Sequence, residues 1–170
     1  MSKVIKINLN SSDSIEAAIA ELERYKEDIT TKLTTFISVL QNDGISVART
    51  SLASTVGDST NGSIGKVDVD SSGDIISATI YLSGNDALFI EFGSGIAYNT
   101  GTEHPYAGEF GYGVGTYPSE HPPNRAINPG YWYYGSGKRS IGTGASMPMY
   151  NAAETMRNNL IMRALEIFRS

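Results

Sequence analysis

One face of apolar side chains runs through the first quarter of the chain and sets the terms for the rest. Ile15, Ile19, Leu22, Ile29, Leu33, Phe36 and Leu40 recur at steps of four, three, seven, four, three and four, with Lys26 at the position the long step skips. That spacing belongs to one side of an α-helix; a strand face repeats every two residues. Ser12 or Asp13 is placed to cap the start, with Glu16 three residues after Asp13, and Asn42-Asp43-Gly44 reads as a stop. A helix of about 29 residues is a rod of about 43 Å. That is long for a small domain and predicts packing in an oligomer, or a kink. Residues 45–56 read as a second, weaker helix ended by Gly57. Ahead of the stripe, Val4, Ile5 and Ile7 form a short apolar patch, an added strand or a disordered arm.

The pattern then changes period. Gly65 to Asp70 alternates, Ser71-Ser72-Gly73-Asp74 has turn chemistry, and Ile76 to Leu82 alternates again with its even positions apolar. This predicts a β-hairpin. Ala87 to Phe92 fits a strand or a short helix begun by Asp86 and closed by Gly93, with the helix preferred. At the far end, Pro148 suits a first helical turn. Met149, Ala153, Met156, Leu160, Ala164 and Ile167 supply a helical stripe behind it. The expected fold class is α+β: an arm at 1–12, then one domain at 13–170 interrupted by a long loop at 93–146.

That loop is compositionally distinct. It holds twelve of the 18 glycines, five of the six prolines and nine of the sixteen aromatics, and its charges cancel. Aromatic rings bring large apolar area and need a partner. The loop is therefore read as one that orders against something else, not as a passive linker. Tyr131-Trp132-Tyr133-Tyr134 is its densest run and is read chiefly as a protein contact, with the domain's own core, or sugar or base stacking, as alternatives.

Charge is unevenly placed. The chain carries a formal net charge of −5, and residues 57–92 alone sum to −5. That disfavours a nucleic-acid-binding surface at whole-chain level. The absence of cysteine excludes disulfide scaffolds and thiolate chemistry. No run of apolar residues is long enough to span a bilayer. The N-terminus lacks a secretory apolar segment, so assembly in a cytoplasm is expected. Asp68-Val-Asp70-Ser-Ser72-Gly73 imitates a calcium loop, but Thr79 stands where a bidentate Glu is required. Gly135-Ser-Gly137-Lys138 fails the phosphate-loop pattern at Trp132 and Arg139. Glu103-His104 and Glu120-His121 have the donor types of a zinc site. Each His precedes Pro, which reads as extended, exposed chain. Neither a metal, a cofactor nor a catalytic group is expected.

Ala87-Leu88-Phe89-Ile90-Glu91-Phe92-Gly93-Ser94-Gly95 resembles the FxEFGTG signature of neck or tail-completion proteins of long-tailed phages, with Ser94 in place of the usual Thr. The order of parts is similar too: a helix, strands, the signature, a Gly-rich loop with a Trp, and a Pro-opened last helix, over about residues 13–168. The resemblance implies a virion structural protein without chemistry, assembled in the host bacterial cytoplasm. It would join the upper end of a tail to a connector or tail terminator in a ring, with a hexamer favoured. It implies tail terminator, tail tube or connector proteins as partners, DNA only in passing and no membrane. A headless tail-like particle fits as well. Phe89, Glu91, Phe92, Gly93, Tyr98, Tyr106, Tyr112, Tyr131, Trp132, Tyr133 and Tyr134 are the expected interaction residues. Asp68, Asp70 and Asp74 are candidate linings of a DNA channel, where carboxylates would keep phosphates sliding; the plain alternative is that they keep a sheet face solvated. The alternative function is a carbohydrate-binding or envelope-degrading virion protein that uses the 93–146 loop.

Overall fold

A computed structural model of the chain describes residues 4–57, 61–73, 75–93, 104–106, 109, 132–134, 138–140 and 142–169. The elements are α1 (Ser12–Ala53), β1 (Ser63–Asp70), β2 (Ser77–Ser83), α2 (Ala87–Phe92), β3 (Trp132–Tyr134), β4 (Lys138–Ser140) and α3 (Pro148–Arg169). The α+β class holds: a long N-terminal helix, a small antiparallel sheet and a C-terminal helix. Residues 4–10, with the apolar patch, form neither helix nor strand.

The expected stop at Asn42-Asp43-Gly44 and the second helix after it are corrected to one continuous helix of 42 residues, a rod about 63 Å long. Gly44 is a packing device, not a terminator. It is buried, and a Cβ there would stand 2.7 Å from Ile80 Cδ1 and 2.9 Å from Met156 Sδ. The missing side chain lets β2 and α3 close on α1. Ser11, not Ser12 or Asp13, is the N-cap: its Oγ accepts the Ser14 N–H at 3.3 Å. The Ser14 hydroxyl accepts the Asn8 N–H at 2.9 Å and the Asn8 carbonyl accepts the Ser11 N–H at 3.2 Å, tying the chain ahead of the helix to its first turn. In the Thr-rich stretch 30–35, Thr30, Thr34 and Thr35 donate their hydroxyls to carbonyls four residues back, so these groups are satisfied within the helix.

β1 and β2 pair antiparallel, Ile64 with Leu82 and Lys66 with Ile80. The even positions of β2 face inward, as its alternation predicts. In β1 an extra residue lies between the pairs Val67–Thr79 and Asp70–Ser77. This bulge separates Val67 from Val69: Val67 is exposed and Val69 half-buried, although strict alternation of residues 65–70 would place both on one face, opposite Asp68 and Asp70. Gln41 of α1, 3% exposed, reaches across both strands at this point. Its Nε2 donates to the Val67 carbonyl at 2.7 Å and the Thr79 carbonyl at 3.0 Å.

α3 runs antiparallel to α1. Phe168 stacks edge-on to Phe36, Asp43 binds Asn159 and Arg163, and Ser51 meets Asn151. The face of α3 turned to α1 carries Ala152, Met156, Asn159 and Arg163. The expected stripe is therefore rotated: Leu160 is 47% exposed and Ala152 2%. The polar pair Asn159 and Arg163 turns inward because Asp43 receives it. The Arg163 guanidinium, bonded to Asp43 at 2.9 and 3.1 Å, holds that carboxyl below the usual carboxylate range; partial burial opposes this, and Asn159 adds to it. A depressed pKa stabilises the fold above the unfolded value of about 3.9 and loses that contribution as pH falls through the folded value. Asp43→Asn is expected to lower the melting temperature at pH 7 and to lose its deficit relative to wild type in acid below about pH 4. A deficit of the same size at pH 2.5 and pH 7 would show that the ion pair contributes nothing.

Candidate functional site

The signature segment forms α2, and the ends of all three helices meet around it. Asp86 precedes it without capping it. Its carboxylate accepts the Asn61 N–H at 3.1 Å, and its own N–H donates to the Asn61 carbonyl at 3.2 Å, tying the helix to the approach of β1. Ile90 is fully buried. Its carbonyl accepts the Ser146 N–H at 3.0 Å, while the Gly144 N–H donates to the Val56 carbonyl at 2.9 Å just after α1. The segment 142–147 is thereby clasped between α1 and α2. Gly93 ends α2 at φ 74° and ψ 163°.

Glu91 is 7% exposed and spans the junction. One carboxylate oxygen accepts the Met149 N–H at 2.8 Å, and the other the Tyr150 N–H at 2.9 Å. These are free donors of the first turn of α3. The residue at the cap position is Met147, whose side chain has no oxygen to offer and whose backbone is left-handed, φ 52°. Glu91 is thus the cap of α3, delivered from another helix. It also places a carboxylate at the positive end of the helix dipole.

His104 closes the other side of the carboxylate. It is 5% exposed and sits 3.2 Å from Glu91 Oε1 through Nε2. Its Nδ1 accepts the Tyr106 N–H at 3.0 Å, so the ring proton lies on Nε2 and points at Glu91. Phe92, Tyr106 and Tyr150 surround the imidazole, with centroids 4.4, 6.0 and 5.3 Å away. The expectation of an exposed His104 is therefore corrected: its side chain is buried in the junction. The signal available in the sequence was a Pro-opened helix with Met at its cap position and a lone acid in an apolar segment. Together they called for each other.

The expected interaction residues separate in space. Glu91, Phe92 and Gly93 are buried and engaged within the chain, Phe89 is half-buried, and Tyr106 is 44% exposed. Trp132 to Tyr134 pair as a short ribbon with Lys138 to Ser140. Tyr98, Tyr112 and Tyr131 lie outside the described residues, as do Glu103, Glu120, His121 and Asp74. Asp68 and Asp70 are exposed. Lys66 lies 3.5 Å from Asp68. Asp70 accepts the Ser72 N–H at 2.9 Å, a turn contact that holds its carboxyl below the usual range. Among the described residues no cluster of metal-ligating side chains occurs, and no helix is long and apolar enough to cross a membrane.

Comparison with protein-family models, with curated proteins and with solved structures returns no match to this chain.

The arrangement positions elements. Glu91 meets backbone amides and one buried imidazole, and an open apolar recess of about 470 Å³ lies elsewhere, between α1, β2 and α3. Phe92→Ala is expected to destabilise the fold by about 3–5 kcal/mol. Phe89→Ala is expected to cost less, because its ring is only half-buried. Equal and small shifts in thermal melts of the two variants would contradict this reading.

Proposed function

We propose that the chain is a structural tail-completion or neck protein, a ring component that joins the upper end of a phage tail or tail-like particle to its connector or terminator. The observation that carries the reading is the use made of the signature segment. Ile90, Glu91, Phe92 and Gly93 lock α1, α2 and α3 into one body, as expected of a structural motif in a joint and not of a reaction centre. The order of elements supports it: helix, hairpin, signature helix, then a helix opened by Pro148. Rings built from identical copies use heterologous patches on rigid elements. This body offers such elements, with apolar side chains exposed on both α1 and α3. The 93–146 segment, rich in aromatic rings, supplies further contact area toward neighbouring tail proteins.

The test is to purify the particles and locate the chain. Mass spectrometry should find it in virions or tails, and labelling should place it at the head-proximal end. Absence from particles, or glycan binding or cell-wall cleavage by the purified chain, would overturn the reading.

A further inference from the structure

We propose that the segment Val4–Ile7 ahead of α1 pairs as an added β-strand with the free edge of β1 in a second copy of this chain. The proposal rests on the ring reading above and names one contact within it.

Val4-Ile5-Lys6-Ile7 has the composition of a strand, three of its four residues being β-branched and apolar. Its base is fixed. The Asn8 N–H donates to Ser14 Oγ, and the Asn8 carbonyl accepts the Ser11 N–H. Ahead of that anchor, the N–H and C=O groups of residues 4–7 hold no hydrogen bond among the described residues. Val4 and Ile7 are 78% and 49% exposed. A β-prone stretch with its main chain open is a strand without a sheet, the form in which a segment adds to a sheet edge.

The sheet of its own molecule is out of reach. Gln41 of α1 bonds the Val67 carbonyl of β1, and Ser12 to Gln41 is about 44 Å of helix. A Cβ at Gly62 would stand 3.4 Å from Leu52 Cδ1, so β1 runs from the level of Leu52 toward the start of α1. Its Asp70 end is about 10 Å nearer, which still leaves about 34 Å to Ser12. The four residues ahead of Asn8 extend at most about 14 Å. A sheet that takes this strand therefore belongs to another molecule.

The hairpin offers the matching edge. β1 and β2 form a two-stranded sheet, so each keeps one edge without a ladder partner. The bulge after Val67 limits regular pairing along β1 to Ser63–Val67, a length suited to Val4–Ile7. Charge selects β1 over β2. Residues 1–11 carry two lysines and no acid, and Lys6 has no ion pair among the described residues. β1 carries Asp68 and Asp70 against Lys66, and β2 carries no charge. Asp68 lies 3.5 Å from Lys66 yet its side chain is 92% exposed, and exposed Asp70 gives one oxygen to the Ser72 N–H. Both carboxylates stay open to a lysine from outside. Because strand and edge lie far apart on one molecule, each copy gives to one neighbour and receives from another. The contact then runs head to tail until it closes.

The experiment uses the full chain with two substitutions at one exposed position. Lys6→Pro removes a main-chain donor; Lys6→Thr removes the charge and keeps strand propensity. Both lie outside the folded body, so melting in dilute solution should match wild type. Light scattering over a concentration series should show wild-type self-association, weakened about tenfold or more in Kd by Lys6→Pro and about threefold or less by Lys6→Thr. Hydrogen exchange in concentrated against dilute wild type should slow the amides of residues 4–7 and 63–67. Monomeric wild type at several hundred micromolar would overturn the proposal. Equal weakening by the two substitutions would show charge attraction without a strand, and overturn it as well. Slowed amides in 77–83, with 63–67 unchanged, would place the strand on β2 and overturn the assignment to β1. Assembly untouched by Lys6→Pro would overturn this contact and leave the ring reading intact. Protection at both segments in a chain absent from tail particles would support the contact and overturn the ring function.

Discussion

Glu91→Ala is expected to lower stability by about 3–5 kcal/mol, a fall in melting temperature of about 10–15 °C for a chain of this size. The variant removes the acceptor of three donors at once: the part-buried Met149 and Tyr150 amides and the buried His104 Nε2. Glu91→Gln retains one oxygen but turns an NH2 toward a donor, so it is expected to lose about 2–3 kcal/mol. His104→Ala is expected to lose less, because the two amides keep their acceptor. A double-mutant cycle between Glu91 and His104 should show coupling above about 0.5 kcal/mol. Additive effects, or a Glu91→Ala melt within 3 °C of wild type, would sink the capping assignment. The same network sets what deletion of the loop should do. Excising residues 98–138 also excises His104, so the truncated chain is expected to melt well below wild type and not to retain an intact body.

Gly93→Ala carries the second large effect, about 2–4 kcal/mol. With φ 74° and ψ 163°, Gly93 occupies a region of backbone space almost confined to glycine. A Cβ there would also stand 2.8 Å from the Ala145 amide nitrogen. Neither backbone can give way cheaply, since the Ser146 and Gly144 amides are pinned to Ile90 and Val56. Gly93→Val should be worse than Gly93→Ala, because a branched side chain tolerates positive φ least. Gly73→Ala in the hairpin turn is the control: nothing lies within 4 Å of its Cβ position, and a change within about 0.5 kcal/mol is expected. Matching melts for the Gly93 and Gly73 variants would show that the clasp does not depend on close backbone approach.

The same residues show where reading a sequence succeeds. The stripe from Ile15 to Leu40, the alternation from Ile76 to Leu82 and the Pro148 helix start are local patterns, and the helix, strand and first turn appear where the patterns lie. The Gly-rich segment is different. Its glycines, prolines and rings promise contacts without naming partners, so composition alone could not place His104 beside Glu91.

Periodicity by itself determined the α+β class and the hairpin, because each depends only on which neighbours along the chain are apolar; of the α1 stripe only the C-terminal end at Phe36 and Leu40 is covered, while Ile15, Ile19 and Leu22 are exposed. Three things were decided by tertiary structure. Gly44 continues α1 where its local preference is to end it, because β2 and α3 need the space of the missing Cβ. Asn159 and Arg163 turn α3 away from its apolar stripe, because Asp43 lies opposite. Glu91 turns inward from a position that reads as solvent-facing, because the first turn of α3 offers two amides with no cap of their own. In each case a polar or steric requirement distant in sequence outweighed a local preference worth about 1 kcal/mol.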